Sequence, residues 1–229
     1  MKRACVAAAA DNAAVPGALW IVSAPSGGGK TSLCRALVPR LRARGIAAAI
    51  SVSCTTRPPR EGEREDIDYR FVDEARFAAM VEAGEFVEHA GVFGRHYGTL
   101  RAPLESTLRS GAVLLLDIDW QGGRQIRARY PEARSVFVLP PTIAVLEQRL
   151  RERAGSDASS VAARMRAARA EMAHYNEYDY VVVNSDFERA VGDFEALIVA
   201  ETLRRNTQRL RHCALIDALL DDDGATTLE

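Results

Sequence analysis

Lysine is nearly absent from this chain. Of its 229 residues 30 are basic, and Lys2 and Lys30 are the only lysines among them; the rest are arginines. Cysteine is scarce as well. Cys5, Cys34, Cys54 and Cys213 lie far apart, with no C-x-x-C pair and no Cys/His ligand spacing. That excludes a zinc ribbon and a disulfide framework, and reads as reduced thiols in a cytosolic protein. Long apolar runs are missing: stretches such as Ala112–Leu116 and Tyr180–Val183 are strand-sized, so no membrane span is expected. Neither charge sign is in excess, with 30 basic against 31 acidic residues and a pI near 6.5. This argues against a nucleic-acid partner held by bulk electrostatics. What is plentiful is apolar content, 48% of residues, ample for a buried core.

The first residues imitate a secretion signal only faintly. Lys2 and Arg3 precede an alanine-rich stretch, but Ala4–Ala10 is short and weakly hydrophobic, and Asp11 follows directly. Residues 1–16 therefore read as a disordered extension. Beyond Gly17, short apolar runs alternate with helical patterns, the signature of an α/β fold with a parallel sheet. Strands are expected at Leu19–Ser23, Ile50–Ser53, Ala112–Ile118, Ser135–Leu139 and Tyr180–Asn184. The first helix carries Leu33, Leu37, Val38 and Leu41 on one side and ends at Gly45. Further helices are expected at Gly123–Arg129, Thr142–Arg151, Ser159–Tyr175 and Phe187–Arg205.

Two stretches interrupt the alternation. From Cys54 to about Thr99 the chain is polar and begins with a Pro58-Pro59 pair. It holds one short helix with Asp73 as N-cap and Gly84 past its end, flanked by strand-like pieces at Tyr69–Val72 and Glu85–His89. This reads as a subdomain inserted on the main sheet. The second, Arg149–Ser160, is dense in charge and small residues and reads as a mobile flap. After Arg204 a helix continues toward Asp221-Asp222-Asp223, a solvated acidic end.

Ala24-Pro25-Ser26-Gly27-Gly28-Gly29-Lys30-Thr31 follows a strand and opens a helix, the context a P-loop requires. Its glycines let backbone N–H groups turn onto phosphate oxygens, and the helix N-terminus favours negative charge. Lys30 would reach the β/γ-phosphates of ATP and the Thr31 hydroxyl would join a Mg²⁺ shell, with Ser32 next in the loop. The generic motif begins with Gly, whereas this one begins with Ala24. The one internal lysine of an arginine-rich chain stands where a compact ammonium fits the cradle and a planar guanidinium does not. The run Val113–Asp119 ends an apolar strand in Asp117 and Asp119, carboxylates expected near the phosphates and Mg²⁺.

Thr55-Thr56-Arg57-x-x-Arg60-x-x-Glu63, then Tyr69, Glu88 and Gly94-Arg95-His96-Tyr97-Gly98-Thr99, resemble the guanylate kinase family. So do Ser51–Arg57, Leu116–Gly122 and Tyr178–Asn184, and the resemblance spans Gly17 to about Asp217. Singly, Arg57 and Arg60 read as a solvated loop and Glu88 as a surface carboxylate; together and in this order they do not. The resemblance implies a P-loop NTPase-type sheet with a GMP-binding subdomain at 54–99, a lid at 149–160, a core of 17–53, 100–148 and 161–217, and an acidic tail at 218–229. Arg57, Arg60, Tyr69 and Tyr97 would grip the GMP (or dGMP) phosphate, with Glu63 in the same group. Glu88 would accept from guanine N1–H and the 2-amino group, with Ser53 and Thr99 completing the pocket. Asp117 is placed by the strand pattern at the metal and by the resemblance at the base side. Arg149, Arg153 and Arg164 would neutralise charge in transfer, and Asn184 would lie near the adenine.

The implied reaction is ATP + GMP to ADP + GDP. The attacking phosphate oxygen is already anionic, so no general base is needed. Two departures from the family pattern stand out: Asp66 where glycine is common, implying a reshaped turn, and Arg151-Glu152-Arg153-Ala154 in the flap. Two rival classes are a non-catalytic guanylate-kinase-like interaction module and a kinase for a phosphorylated sugar. The intact Gly27–Thr31 speaks against the first, and Glu88 with Ser53, Tyr69 and Tyr97 against the second. The partners implied are small molecules; a homo-oligomer is left open.

Overall fold

A computed structural model describes residues 17–154 and 158–220, with side chains of 153–160 outside that description. The expected extension at 1–16, the Asp221–Asp223 end and the Arg153 side chain therefore lie outside the described residues. By internal contacts these residues fall into two compact units, 17–195 and 196–220.

In the first unit, five strands form a wholly parallel sheet: β1 Leu19–Ser23, β2 Ala48–Ile50, β7 Val113–Asp117, β8 Arg134–Leu139 and β9 Tyr180–Val183, in the order β2-β7-β1-β8-β9. All five residues of β1 are buried, as a central strand covered on both faces requires. Side-chain alternation explains the two layers. Leu19 and Ile21 join Leu114, Leu116, Phe137, Ile126 and Leu104 on one face. Trp20 points to the other, stacked on Tyr180 and tilted against Phe194. Each buried aliphatic side chain of β1 contributes roughly 2 kcal/mol.

Helix α1 (Lys30–Ala43) follows β1 directly and buries Leu33, Leu37, Val38 and Leu41, as its periodicity predicts. Gly45 past its end has φ 75°, a left-handed stop. The inserted subdomain is a second sheet, ordered β4-β3-β6-β5, made of β3 Ser53–Thr55, β4 Arg70–Phe71, β5 Phe86–Val92 and β6 Arg95–Leu100. Helix α2 (Glu74–Glu82) opens with the Asp73 carboxylate accepting the Arg76 N–H at 2.6 Å. Its Phe77 and Met80 cover Cys54, Phe86 and Leu100.

Several expectations change. The strand expected at Ile50–Ser53 is a junction: β2 ends at Ile50 in the main sheet and β3 begins at Ser53 in the other, so one apolar run feeds two sheets. Strand β6 and helix α3 (Arg101–Arg109) were not expected as such. Helix α4 (Trp120–Arg129) starts three residues early because Asp119 caps it, accepting the Gly122 N–H at 2.8 Å. In the flap region, α5 (Ile143–Ala154) and α6 (Ala158–Met172) are helical up to the undescribed residues 155–157, so most of the expected flap is helix. The alanines and arginines of these two helices are good helix formers.

Asp66 is one of two non-glycine residues with positive φ among the described residues. It adopts φ 56°, the left-handed conformation glycine would take, and Arg70 Nε donates to its carboxylate at 2.7 Å. A short 3₁₀ turn, Ala173–Glu177, leads to β9, and α7 (Phe187–Thr202) follows it. The expected single tail helix is two, α8 (Arg205–Arg211) and α9 (Cys213–Leu220). No helix among the described residues is long and apolar enough to cross a membrane.

Candidate active site

The loop between β1 and α1 is shaped by glycines at two places. Gly29 sits at φ 94° as the N-cap of α1, and a Cβ on it would lie 2.5 Å from Asn184 Nδ2. A Cβ on Gly28 would lie 2.8 Å from the Ala24 methyl. Ala24 is therefore accommodated at the motif's first position because Gly28 has no side chain. Asn184, buried at the end of β9, donates from Nδ2 to the Gly28 carbonyl at 3.1 Å. It braces the phosphate loop and is not among the residues that line the cleft.

Lys30 Nζ lies 2.6 Å from Asp117 Oδ1, and the Thr31 hydroxyl donates to Asp117 Oδ2 at 2.5 Å. The Asp117 carboxylate is thus shared between the Lys30 ammonium at one oxygen and the Thr31 hydroxyl at the other. Burial opposes the Lys30 charge, but the Asp117 carboxylate outweighs it and holds the ammonium above the ordinary lysine range. A hydroxyl and a carboxylate with a spare lone pair beside the loop are the hard oxygen donors that Mg²⁺ accepts. Among the described residues no group of three or more His, Cys, Asp or Glu side chains could hold a metal. The residues therefore fit a Mg²⁺ that arrives with phosphate and keeps much of its water. Asp119, expected at the metal too, has both carboxylate oxygens engaged, one by Gly122 N–H and the other by Gln121 Nε2 at 3.0 Å.

The base pocket follows from strand register. Ser53 of β3 pairs with Thr99 of β6, and Thr99 with Glu88 of β5, so the three stand in one row across the sheet. Thr99 Oγ1 donates to Glu88 Oε1 at 2.6 Å. Glu88 is only 4% exposed. Burial, with the nearby Asp119 charge, pushes its carboxyl up to about 7, against the pull of the Thr99 hydroxyl.

Arg57, Arg60 and Glu63 form one turn. Glu63 takes both oxygens to Arg57 Nη2, at 2.8 and 2.9 Å, and also accepts the Arg60 N–H at 2.8 Å. Glu63 thus holds the Arg57 guanidinium and the backbone of Arg60, and itself lines the cleft. The Arg57 guanidinium lies over the Tyr69 ring, 5.3 Å from its centroid, and Tyr69 meets Tyr97 edge-on. Burial pushes the Tyr69 hydroxyl above its usual range, Asp117 adding to this and Lys30 opposing it.

These groups share one cleft of about 490 Å³. Ala24, Pro25, Ser26, Gly27, Gly28, Gly29, Lys30, Thr31 and Ser32 line it at the loop; Ser53, Arg60, Glu63, Tyr69, Glu88 and Tyr97 line it at the inserted sheet; Asp117 and Asp119 lie between. Arg57 and Thr99 stand behind that lining. Arg149 on α5 comes near Gly29, and its buried Nη1 has no hydrogen-bond partner among the described residues; it is not part of the cleft lining. Arg164 on α6 is half-buried and not part of the cleft lining.

Three contributors escaped the sequence reading. Arg35 of α1 pairs with Asp68 at 2.5 Å, joining core to inserted subdomain at the cleft. The Arg64 N–H, then Arg35, hold the Asp68 carboxyl below its ordinary value. Glu171 of α6 accepts the Ser26 N–H at 2.8 Å and lines the cleft, its carboxyl pushed up by burial against the pull of that N–H. Its one legible signal is a place two helical turns after Arg164, on the same face. Glu171→Ala should raise KM for ATP about tenfold with KM for GMP unchanged, while Glu171→Gln, which keeps an acceptor, stays near wild type. Steady-state kinetics with each substrate varied in turn checks this.

A P-loop on the central strand of a parallel sheet, facing an inserted substrate sheet, defines a P-loop phosphotransferase. A family model for guanylate kinase matches residues 17–201, and the chain belongs to that family. It is 47% identical over 204 residues to a guanylate kinase of Vibrio vulnificus, covering 89% of this chain and 98% of the relative. To one of Coxiella burnetii it is 48% identical over 203 residues, covering 89% and 97%. The crystal structure of guanylate kinase from Anaplasma phagocytophilum matches with a TM-score of 0.69 at 33% identity, over 83% of this chain and 88% of that one.

Proposed function

We propose that this cleft transfers the γ-phosphoryl group of ATP to GMP or dGMP, giving ADP and the guanosine diphosphate. The observation that carries the reading is a single cleft lined at one end by the phosphate loop and at the other by a buried carboxylate, Glu88. Guanine offers two adjacent donors, N1–H and the 2-amino group, and an ionised Glu88 accepts both. Adenine lacks that pair and leaves the carboxylate unpaired, which a desolvated site penalises heavily. Arg57, its guanidinium set by Glu63, and Arg60 offer planar forks to the monophosphate, and the hydroxyls of Tyr69 and Tyr97 add donors.

The nucleophile is an oxygen of the GMP phosphate, anionic at neutral pH, so no side chain has to remove a proton. Catalysis then rests on alignment and on neutralising charge at the transferring group. Lys30 leaves Asp117 for phosphate oxygens, Arg149 supplies its guanidinium, and Arg153 and Arg164 are proposed to add charge from the lid. Asn184 and Glu171 keep the loop in shape meanwhile. Mg²⁺, when bound with ATP, neutralises phosphate charge; Thr31 and Asp117 are the residues that would hold it. The buried free thiols of Cys34 and Cys54 support a cytoplasmic setting.

Incubation with Mg-ATP and GMP should give ADP and GDP in equal amounts, and excess EDTA should stop the reaction. ADP formation at an equal rate without GMP would contradict the assignment.

A further inference from the structure

Gly122 is the third residue of α4, and its backbone is not in the left-handed region that would demand glycine. Glycine is also among the poorest helix formers, so helix geometry does not explain it. What explains it is a neighbour. A Cβ at Gly122 would lie 2.4 Å from Glu88 Oε2 and 3.0 Å from its Cδ, with Asp119 Oδ1 next at 3.4 Å. Glu88 Oε1 is meanwhile fixed by the Thr99 hydroxyl at 2.6 Å. The carboxylate is thus gripped at one oxygen and seated by the other against a bare Cα. The helix around that Cα is itself pinned, since the Gly122 N–H donates to the Asp119 carboxylate.

We propose that Gly122 is a specificity-positioning residue: by presenting no side chain it sets the depth and angle of the Glu88 carboxylate, and so the discrimination of guanine from other bases. The inference rests on the reading of Glu88 as the guanine acceptor. With a methyl at this position Glu88 must swing toward the open cleft it already lines, into the space the base needs. The fold yields little, because the clashing atoms are the far end of a side chain with room on its cleft side. The adjacent Gly123 makes a natural control. A Cβ there would meet Tyr178 Oη at 2.8 Å and Ile21 Cγ2 at 3.3 Å, in the core and away from Glu88.

Gly122→Ala should raise KM for GMP by about 10–100-fold, with KM for ATP and kcat within about twofold and Tm unlowered. Gly123→Ala should lower Tm without that selective change in KM. In a Glu88→Ala background, where no side chain is left for the methyl to displace, Gly122→Ala should add nothing further to the loss for GMP. Unchanged KM for GMP in Gly122→Ala, a full multiplicative loss in the double variant, or failure of Gly122→Ala to fold would each overturn the inference. The underlying reading fails separately: Glu88→Gln alone with wild-type GMP kinetics would refute the role of Glu88 whatever Gly122→Ala does.

Discussion

Lys30→Arg should lower kcat by at least about 10²-fold while Tm moves by no more than a few degrees. The disparity follows from where Lys30 sits. Its ammonium touches Asp117 Oδ1 at 2.6 Å at the first residue of α1, and its side chain remains 24% exposed toward the cleft. An arginine keeps a positive charge beside Asp117, so a partly buried carboxylate is not stranded and the fold is spared the large penalty of an unpaired charge. The loop is less forgiving. Its contour is set by Gly28 against Ala24 and by Gly29 against Asn184, with no slack for a planar fork in place of a point charge. Kinetics at saturating ATP and GMP, with a thermal melt of the same preparation, checks the prediction. Wild-type turnover in Lys30→Arg would refute it, and a collapsed melt would assign the lysine to stability.

Glu88→Gln should lower kcat/KM for GMP by about 10²-fold and leave KM for ATP unchanged. A glutamine offers one acceptor and turns a donor toward one of the guanine donors. The same carboxyl predicts a pH dependence. With its value pushed up to about 7, Glu88 is neutral below that point and has lost its second acceptor. KM for GMP should therefore rise as pH falls through 7, by about tenfold per unit. The second ionisation of the GMP phosphate, near pH 6 as for other phosphate monoesters, adds its own slope. Glu88→Gln retains that slope alone, so the difference between the two profiles isolates Glu88.

Stability changes in the opposite sense. Between the ordinary 4.5 and about 7 the folded chain holds a proton that the unfolded chain has released. Its stability from this group is present at low pH and is lost as pH rises through that window. Glu88→Gln, which cannot ionise, should melt above wild type at pH 8 and close to it at pH 4.

The parts of the molecule readable in advance are those where one chemistry dictates one local shape. Leu19–Ser23 could only be a buried strand, the loop at Ala24–Thr31 announced a phosphate cradle, and Asp73 with Gly84 bounded α2 correctly. Asp66 showed the limit of composition alone. The residue there is left-handed, a conformation that a short polar side chain with an Arg70 partner tolerates. Less was legible where the outcome depends on tertiary neighbours. Ile50 and Ser53 look like one strand until the sheets that claim them are known. The contacts of Asn184 to the Gly28 carbonyl and of Glu63 to Arg57 are likewise set by the fold and by no motif. Glu171 and Gly122 carry no motif; one becomes meaningful by a hydrogen bond across 145 positions, the other by an atom it lacks.

The near-absence of lysine also acquires a physical sense. Arginine serves at Arg57 and Arg60, where a fork can meet the edge of a phosphate, and at Arg35, Arg64 and Arg70, where it meets a carboxylate. Lys30 alone enters the loop.

The most direct measurement is phosphoryl transfer from Mg-ATP to three acceptors compared side by side: GMP, AMP and ribose 1,5-bisphosphate. The cleft predicts rapid GDP formation from GMP, with AMP and the sugar phosphate slower by at least about 10³-fold in kcat/KM. Comparable turnover of AMP or of ribose 1,5-bisphosphate, or none of GMP by the folded protein, would contradict the account.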